Sequence, residues 1–288
     1  MCTEDDIAQM TRLSRRGFAA MSGFGALAAC APMGQVVAGP NGLIESSVTF
    51  DAPGGEQDGI FIHPAVGEYP GIIFWPDIAG LRSAPVVMAR RLAQSGYSVL
   101  VVNPYYRSIA GQQFESFADF MAKGGGKLVA PWREKHTPQA IAEDAQAIVQ
   151  WLDRQDAVDA GRNIGAQGYC MTGGWAIYAG AAVPARVKGM ASFHGGNLVS
   201  DDATAPVNRI PELAEDAHAL IAIARSDHEK EPDAMDKLRA EAARAGRDVT
   251  VELFEAGHGW TVPDSPRYDQ AEADRAWAAL LALYSKAL

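Results

Sequence analysis

Gly168-Tyr169-Cys170-Met171-Thr172-Gly173-Gly174 is the stretch on which the reading of this chain turns. An apolar, strand-like run over 164–169 leads into it, and a helix-like run over 175–182 leads out. A nucleophile on a sharp strand-to-helix turn needs small neighbours, because the turn is strained and its backbone passes close to the next strand. Gly168 stands two residues before Cys170 and Thr172 two after it, where many such turns have glycine. The threonine methyl adds crowding but is small enough for the turn to close. The helix start behind the thiol favours a thiolate and offers backbone N–H groups to a developing oxyanion. A lone cysteine after a strand is otherwise a small buried hydrophobe, so the reading depends on partners elsewhere in the chain.

Two partners stand downstream. Asp227, in Arg225-Ser226-Asp227-His228, follows the apolar run 220–224, and His258, in Ala256-Gly257-His258-Gly259-Trp260, follows the run 249–254. A histidine between glycines on a loop has little packing reason to be there, and it fits a general base. Asp227 would orient that ring and stabilise its cationic form. Asp233 is the rival acid, but Pro232-Asp233 reads more naturally as the start of the next helix. Nucleophile, acid, histidine is the chain order of an α/β-hydrolase triad.

The 288 residues suffice for one large α/β domain, and a hydrophobic fraction of 48% supports a sizeable core. A net charge of −10 and the lack of a basic stripe argue against a nucleic-acid partner. Residues 1–30 read as a leader. Ser14-Arg15-Arg16-Gly17-Phe18 resembles a twin-arginine export signal, and the apolar run 18–29 is too short to span a bilayer well. It ends in Leu27-Ala28-Ala29-Cys30, the pattern of a lipoprotein cleavage site, which would leave Cys30 lipidated and the protein membrane-attached. A cut near Ala26-Leu27-Ala28 would leave a soluble periplasmic protein instead. With Cys2 and Cys30 in the leader, Cys170 is the sole internal thiol, which excludes a disulfide framework. Residues 31–42, rich in glycine and proline, read as a linker.

Residues 43–288 read as a single domain with the α/β-hydrolase fold. Short β-type runs recur at 44–50, 59–63, 71–75, 97–102, 164–169, 188–193, 219–224 and 249–254, mostly as continuous apolar stretches. That pattern suits strands covered on both faces. Helical patterns over 84–94, from Thr137-Pro138 through Leu152, over 232–245 and over 269–288 alternate with the later strands. The expectation is a mostly parallel sheet of about eight strands with helices on both faces. The segment 103–136 is long for a connection. It reads equally as an excursion with one short helix or as a flap bordering the site.

As a set, Gly168-Tyr169-Cys170, Asp227-His228 and Ala256-Gly257-His258 resemble the motifs of the dienelactone hydrolase family, across about residues 43–288. The resemblance implies hydrolysis of a small ester or lactone by Cys170, His258 and Asp227 through a thioester, with no cofactor. It implies backbone oxyanion donors at Ile78 and Met171. It places Asp77 where the family has a glutamate contacting the resting cysteine; the alternative is a turn-forming aspartate. It places Arg107 near the family's first substrate-carboxylate arginine, while Val262 occupies the place of the second. His194 and Trp260 are candidate pocket residues, with a satisfied core histidine as the other reading of His194. The histidines show no metal-type spacing. Two other functions use the same residues: acyl transfer or thioester cleavage by the triad, and non-catalytic binding on the same fold.

Overall fold

The structure, a computed structural model, describes residues 36–38 and 42–288. The expectations for the leader, for Cys30 and for most of the linker lie outside the described residues. Val36–Ala38, inside the stretch read as linker, forms β1, an edge strand antiparallel to β2 (Leu43–Ala52). The compact unit Gly34–Leu288 thus carries one strand more than the runs of sequence indicated.

The remaining strands are β3 (Gly55–Pro64), β4 (Gly71–Trp75), β5 (Ser98–Val102), β6 (Ile164–Tyr169), β7 (Val187–Phe193), β8 (His218–Ala224) and β9 (Asp248–Phe254). They form one sheet in the order β1-β2-β3-β5-β4-β6-β7-β8-β9. β1, β2, β3 and β5 pair antiparallel, and everything from β5 to β9 is parallel. Every residue of β4, β5, β6 and β7 is buried, which is why those strands read as unbroken apolar runs. β9 lies at the edge and is only partly buried.

Helices cover both faces. Ile72 and Phe74 point to the face held by α1 (Ser83–Gln94) and the C-terminal helix α8 (Gln270–Ala287), where Leu92, Leu280 and Tyr284 are buried. Ile73 and Trp75 point to the other face, against α4 (Pro138–Leu152), α5 (Trp175–Ala182) and α7 (Ala234–Ala245). The period-two alternation of the strand and the 3.6-residue stripe of each helix meet in these two layers. Helix starts follow their caps: Thr137 Oγ1 accepts from the Ala140 N–H and Asp269 Oδ1 from the Glu272 N–H, both at 3.1 Å. The 103–136 excursion holds two short helices, α2 (Phe117–Ala122) and α3 (Gly125–Arg133), and α6 (Arg225–His228) carries Asp227.

The topology positions the site. After β4 the chain crosses to β5 on one side, then returns to β6 on the other. Such a switch point opens a crevice at the carboxyl ends of the strands, and the residues after β4 and β6 are Pro76-Asp77-Ile78 and Cys170-Met171.

Candidate active site

Cys170 has φ +57°, the left-handed region that side chains avoid. The strain is held from several directions. A Cβ on Gly168 would lie 2.0 Å from the Thr172 carbonyl oxygen, and one on Gly173 would lie 2.4 Å from the Gly195 Cα, so both positions require glycine. Tyr169 is clamped between Phe74 and Phe193, with ring centroids 5.0 and 5.1 Å away. Its N–H donates to Thr172 Oγ1 at 2.9 Å. The same hydroxyl lies 2.9 Å from both the Trp75 and Pro76 carbonyls. Thr172 therefore stitches the turn after β6 to the turn after β4, and the hydroxyl, not mere smallness, is what the position uses.

His194, at the end of β7, supplies a further tether. Its Nδ1 accepts the Cys170 N–H at 3.0 Å and its Nε2 lies 3.1 Å from Thr261 Oγ1. Nδ1 thus carries no proton in the neutral ring, and Nε2 donates to the threonine. Burial, reinforced by the neighbouring His258, holds the His194 pKa well below the usual histidine range. His194 is 1% exposed and Trp260, edge-on to it at 5.1 Å, is 0% exposed. Both are buried in the packing beneath the site, which is the satisfied-core reading of His194 and a correction only for Trp260, expected as a pocket residue.

His258 and Asp227 meet from the ends of β9 and β8, with Nδ1 and Oδ2 2.7 Å apart. The His258 N–H donates to Ser226 Oγ at 2.9 Å, which fixes the loop. On its other side the ring lies within interaction range of the Cys170 sulfur. Catalytic hydrogen bonds are often loose before substrate arrives. Burial opposes the ring's charge, but Asp227 and the Cys170 sulfur outweigh it and raise the pKa to about 10. Asp233 precedes α7 as its N-cap residue, as its sequence context indicated.

The peptide groups at the turns after β4 and β6 are oriented by their carbonyls. The Asp77 carbonyl accepts from the Gly80 N–H at 2.9 Å, and the Cys170 carbonyl accepts from Gly173 and Gly196 at 3.1 and 3.2 Å. A trans peptide points its N–H opposite to its C=O, so the Ile78 and Met171 N–H groups face away from those turns. Neither donates to another group among the described residues. Tyr105, which the sequence reading did not single out, donates to the Ile78 carbonyl at 2.6 Å and lies 3.7 Å from Met171 Sδ.

Asp77 and Arg107 are both committed elsewhere. Asp77, 3% exposed, spends Oδ1 and Oδ2 on Arg82 at 2.8 and 2.9 Å, and Oδ1 also accepts the Ala79 N–H. All five N–H donors of Arg82 are used, on Asp77, Asp264 and the Gly80 carbonyl. Asp264 in turn accepts the Phe117 N–H at 2.8 Å. One buried guanidinium thus ties the turn after β4, the start of α2 and the loop beyond His258. The turn-forming reading of Asp77 holds, with an ion pair added. Arg107 pairs with Asp144 at 2.6 Å and lies beneath the Gly54 backbone, so a substrate carboxylate would have to displace Asp144. No sequence signal marks Arg82 with Asp264, which are 182 residues apart. Among the described residues, no group of three or more His, Cys, Asp or Glu side chains is arranged to hold a metal ion.

A parallel sheet with this strand order, a left-handed cysteine at the turn after β6 and a histidine–aspartate pair from the ends of β9 and β8 together define an α/β-hydrolase. More narrowly, the chain belongs to the dienelactone hydrolase family, whose sequence model matches residues 58–288. It is 25% identical over 230 residues to a Synechocystis sp. protein provisionally named a carboxymethylenebutenolidase, covering 78% of this chain and 89% of that one. A relative in Methylorubrum extorquens with the same provisional name is 26% identical over 283 residues, covering 95% and 93%. Among solved structures, a provisionally named dienelactone hydrolase of Klebsiella pneumoniae superposes with a TM-score of 0.71 at 20% identity, covering 85% of this chain and 100% of that one. As a member of this family the chain is a hydrolase of lactone or ester bonds.

Proposed function

We propose that Cys170 is the nucleophile of this hydrolase and that turnover passes through a thioester on its sulfur. The observation that carries the reading is the His258 ring, bonded to Asp227 at 2.7 Å and raised to a pKa of about 10 by that carboxylate and the Cys170 sulfur. A ring held protonated through neutral pH is suited to pair with a thiolate. The thiolate attacks the ester carbonyl, and the Ile78 and Met171 N–H groups stabilise the tetrahedral oxyanion. In other enzymes each such donor is worth on the order of 3 kcal/mol. His258 then protonates the leaving alkoxide as the thioester forms.

The same coupling readies the second half of the cycle. Two of the four interactions that raise the His258 pKa come from Cys170. Acylation turns the sulfur into a neutral thioester, so the imidazole loses both of those interactions and burial lowers its pKa. The neutral ring then takes a proton from water, which attacks the thioester, while Asp227 holds the ring's orientation. Cys170→Ala should abolish ester turnover with the fold retained, and Asp227→Asn should lower kcat by about 100-fold or more. Wild-type-like hydrolysis by Cys170→Ala would end this reading.

We further propose, from the sequence of residues 1–30, export by the twin-arginine machinery and attachment through a lipidated Cys30. Fractionation of cells producing the wild-type chain and Cys30→Ala tests this. The expectation is a membrane-bound wild type and a soluble variant. A wild type retained in the cytoplasm contradicts it.

A further inference from the structure

We propose, building on the hydrolase reading, that the acyl group of the substrate is uncharged and apolar. The two residues proposed as oxyanion donors, Ile78 and Met171, have partly exposed side chains that join one apolar cluster. Behind them Tyr105, Phe114 and Phe120 are buried, and Phe117 on α2 and Trp132 on α3 are the cluster's other partly exposed members. A carbonyl seated at those N–H groups carries its substituent onto a strip made by Ile78, Met171, Phe117 and Trp132. The long excursion between β5 and α4 thereby acquires a purpose, since its two helices supply the aromatic half of that strip.

Charge points the same way. The two buried or partly buried arginines of these turns are already neutralised, Arg82 by Asp77 and Asp264 and Arg107 by Asp144, and Lys230 is exposed. Arg133, at the end of α3, and Arg267, whose stem lies along Gly257, are solvent-exposed. The chain's net charge of −10 repels an anion at long range. A carboxylate laid on the apolar strip would lose its hydration without gaining a buried partner, which is strongly unfavourable.

The test is a pair of p-nitrophenyl esters of the same shape, 4-methylpentanoate and succinate, hydrolysed by the full-length protein. The neutral ester should show a kcat/KM at least about 30-fold higher, with little dependence on salt. Phe117→Ala and Trp132→Ala should each lower the ratio of 4-methylpentanoate to acetate kcat/KM by about fivefold or more. Arg133→Gln and Arg267→Gln should leave the neutral ester's kcat/KM within about twofold. Equal or faster cleavage of the succinate ester overturns the inference while leaving the hydrolase intact, and loss of that activity in either arginine variant would identify the counter-ion. Absence of turnover on every ester would instead sink the hydrolase reading, and this inference with it.

Discussion

Arg82→Met removes the cation that joins three loops of the site while roughly keeping the volume of its stem. Two carboxylates lose their partner. The Asp264 side chain is 23% exposed and can turn to water, but Asp77 is buried beneath the turn after β4 and cannot. Removing one member of a buried ion pair costs about 3–5 kcal/mol, against a typical total stability of about 5–15 kcal/mol. Urea unfolding followed by tryptophan fluorescence should therefore show a loss in that range. Activity should fall as well, because Arg82 also holds the Gly80 carbonyl in the turn that orients the Ile78 N–H. Deleting one oxyanion donor costs about 100- to 1,000-fold in kcat; a loosened donor should cost about 10- to 100-fold, with KM changing less than about threefold. Asp264→Asn gives a milder version that keeps the Asp77 pair, at about 1.5–3 kcal/mol, and the double variant should cost less than the sum of the two. An Arg82→Met protein within about 1 kcal/mol of wild type, with kcat unchanged, would refute the clamp.

Three further expectations concern the nucleophile turn and its histidines. Thr172→Val removes the hydroxyl shared among Tyr169, Trp75 and Pro76 and leaves the buried Tyr169 N–H unpaired, a loss of about 1–3 kcal/mol measurable by urea unfolding. His194→Phe frees the Cys170 N–H from its tether, and kcat should fall with a smaller change in KM; a wild-type kcat would show that the tether is dispensable. For His258 the sign is set by its raised pKa. The protonated ring stabilises the fold fully below its ordinary value of 6.5, and that contribution is lost as pH rises to about 10. The stability difference between wild type and His258→Asn should therefore shrink between pH 6 and pH 10, and a constant difference would mean that the ring is not held charged.

Much of the architecture was legible because the strands of the parallel sheet are buried on both faces. Continuous apolar runs such as 71–75 and 164–169 stand out, and the Thr137-Pro138 and Asp269 caps mark their helices locally. Cys170, Asp227 and His258 were picked out for a related reason: each follows a recognisable strand. What was not legible is non-local. The Asp77–Arg82–Asp264 cluster and the Arg107–Asp144 pair are made by chain segments that only the fold brings together. Sequence gives the charge of an arginine but not whether a carboxylate already occupies it, so Arg107 read as a substrate contact and Asp77 as a residue free to contact the cysteine. For His194 the sequence left a pocket role and a core role open, and its two partnered nitrogens favour the core; Trp260 read as a pocket residue because its stacking partner is not visible in the sequence. β1 escaped notice because a three-residue edge strand in a glycine- and proline-rich stretch carries no period.

The most direct measurement is mass spectrometry of the enzyme acid-quenched during turnover of an activated ester, followed by proteolysis. An acyl adduct on the Cys170 peptide, formed and discharged at rates compatible with kcat, is the expected result. An adduct on a different residue, or steady turnover with Cys170 never modified, would contradict the account.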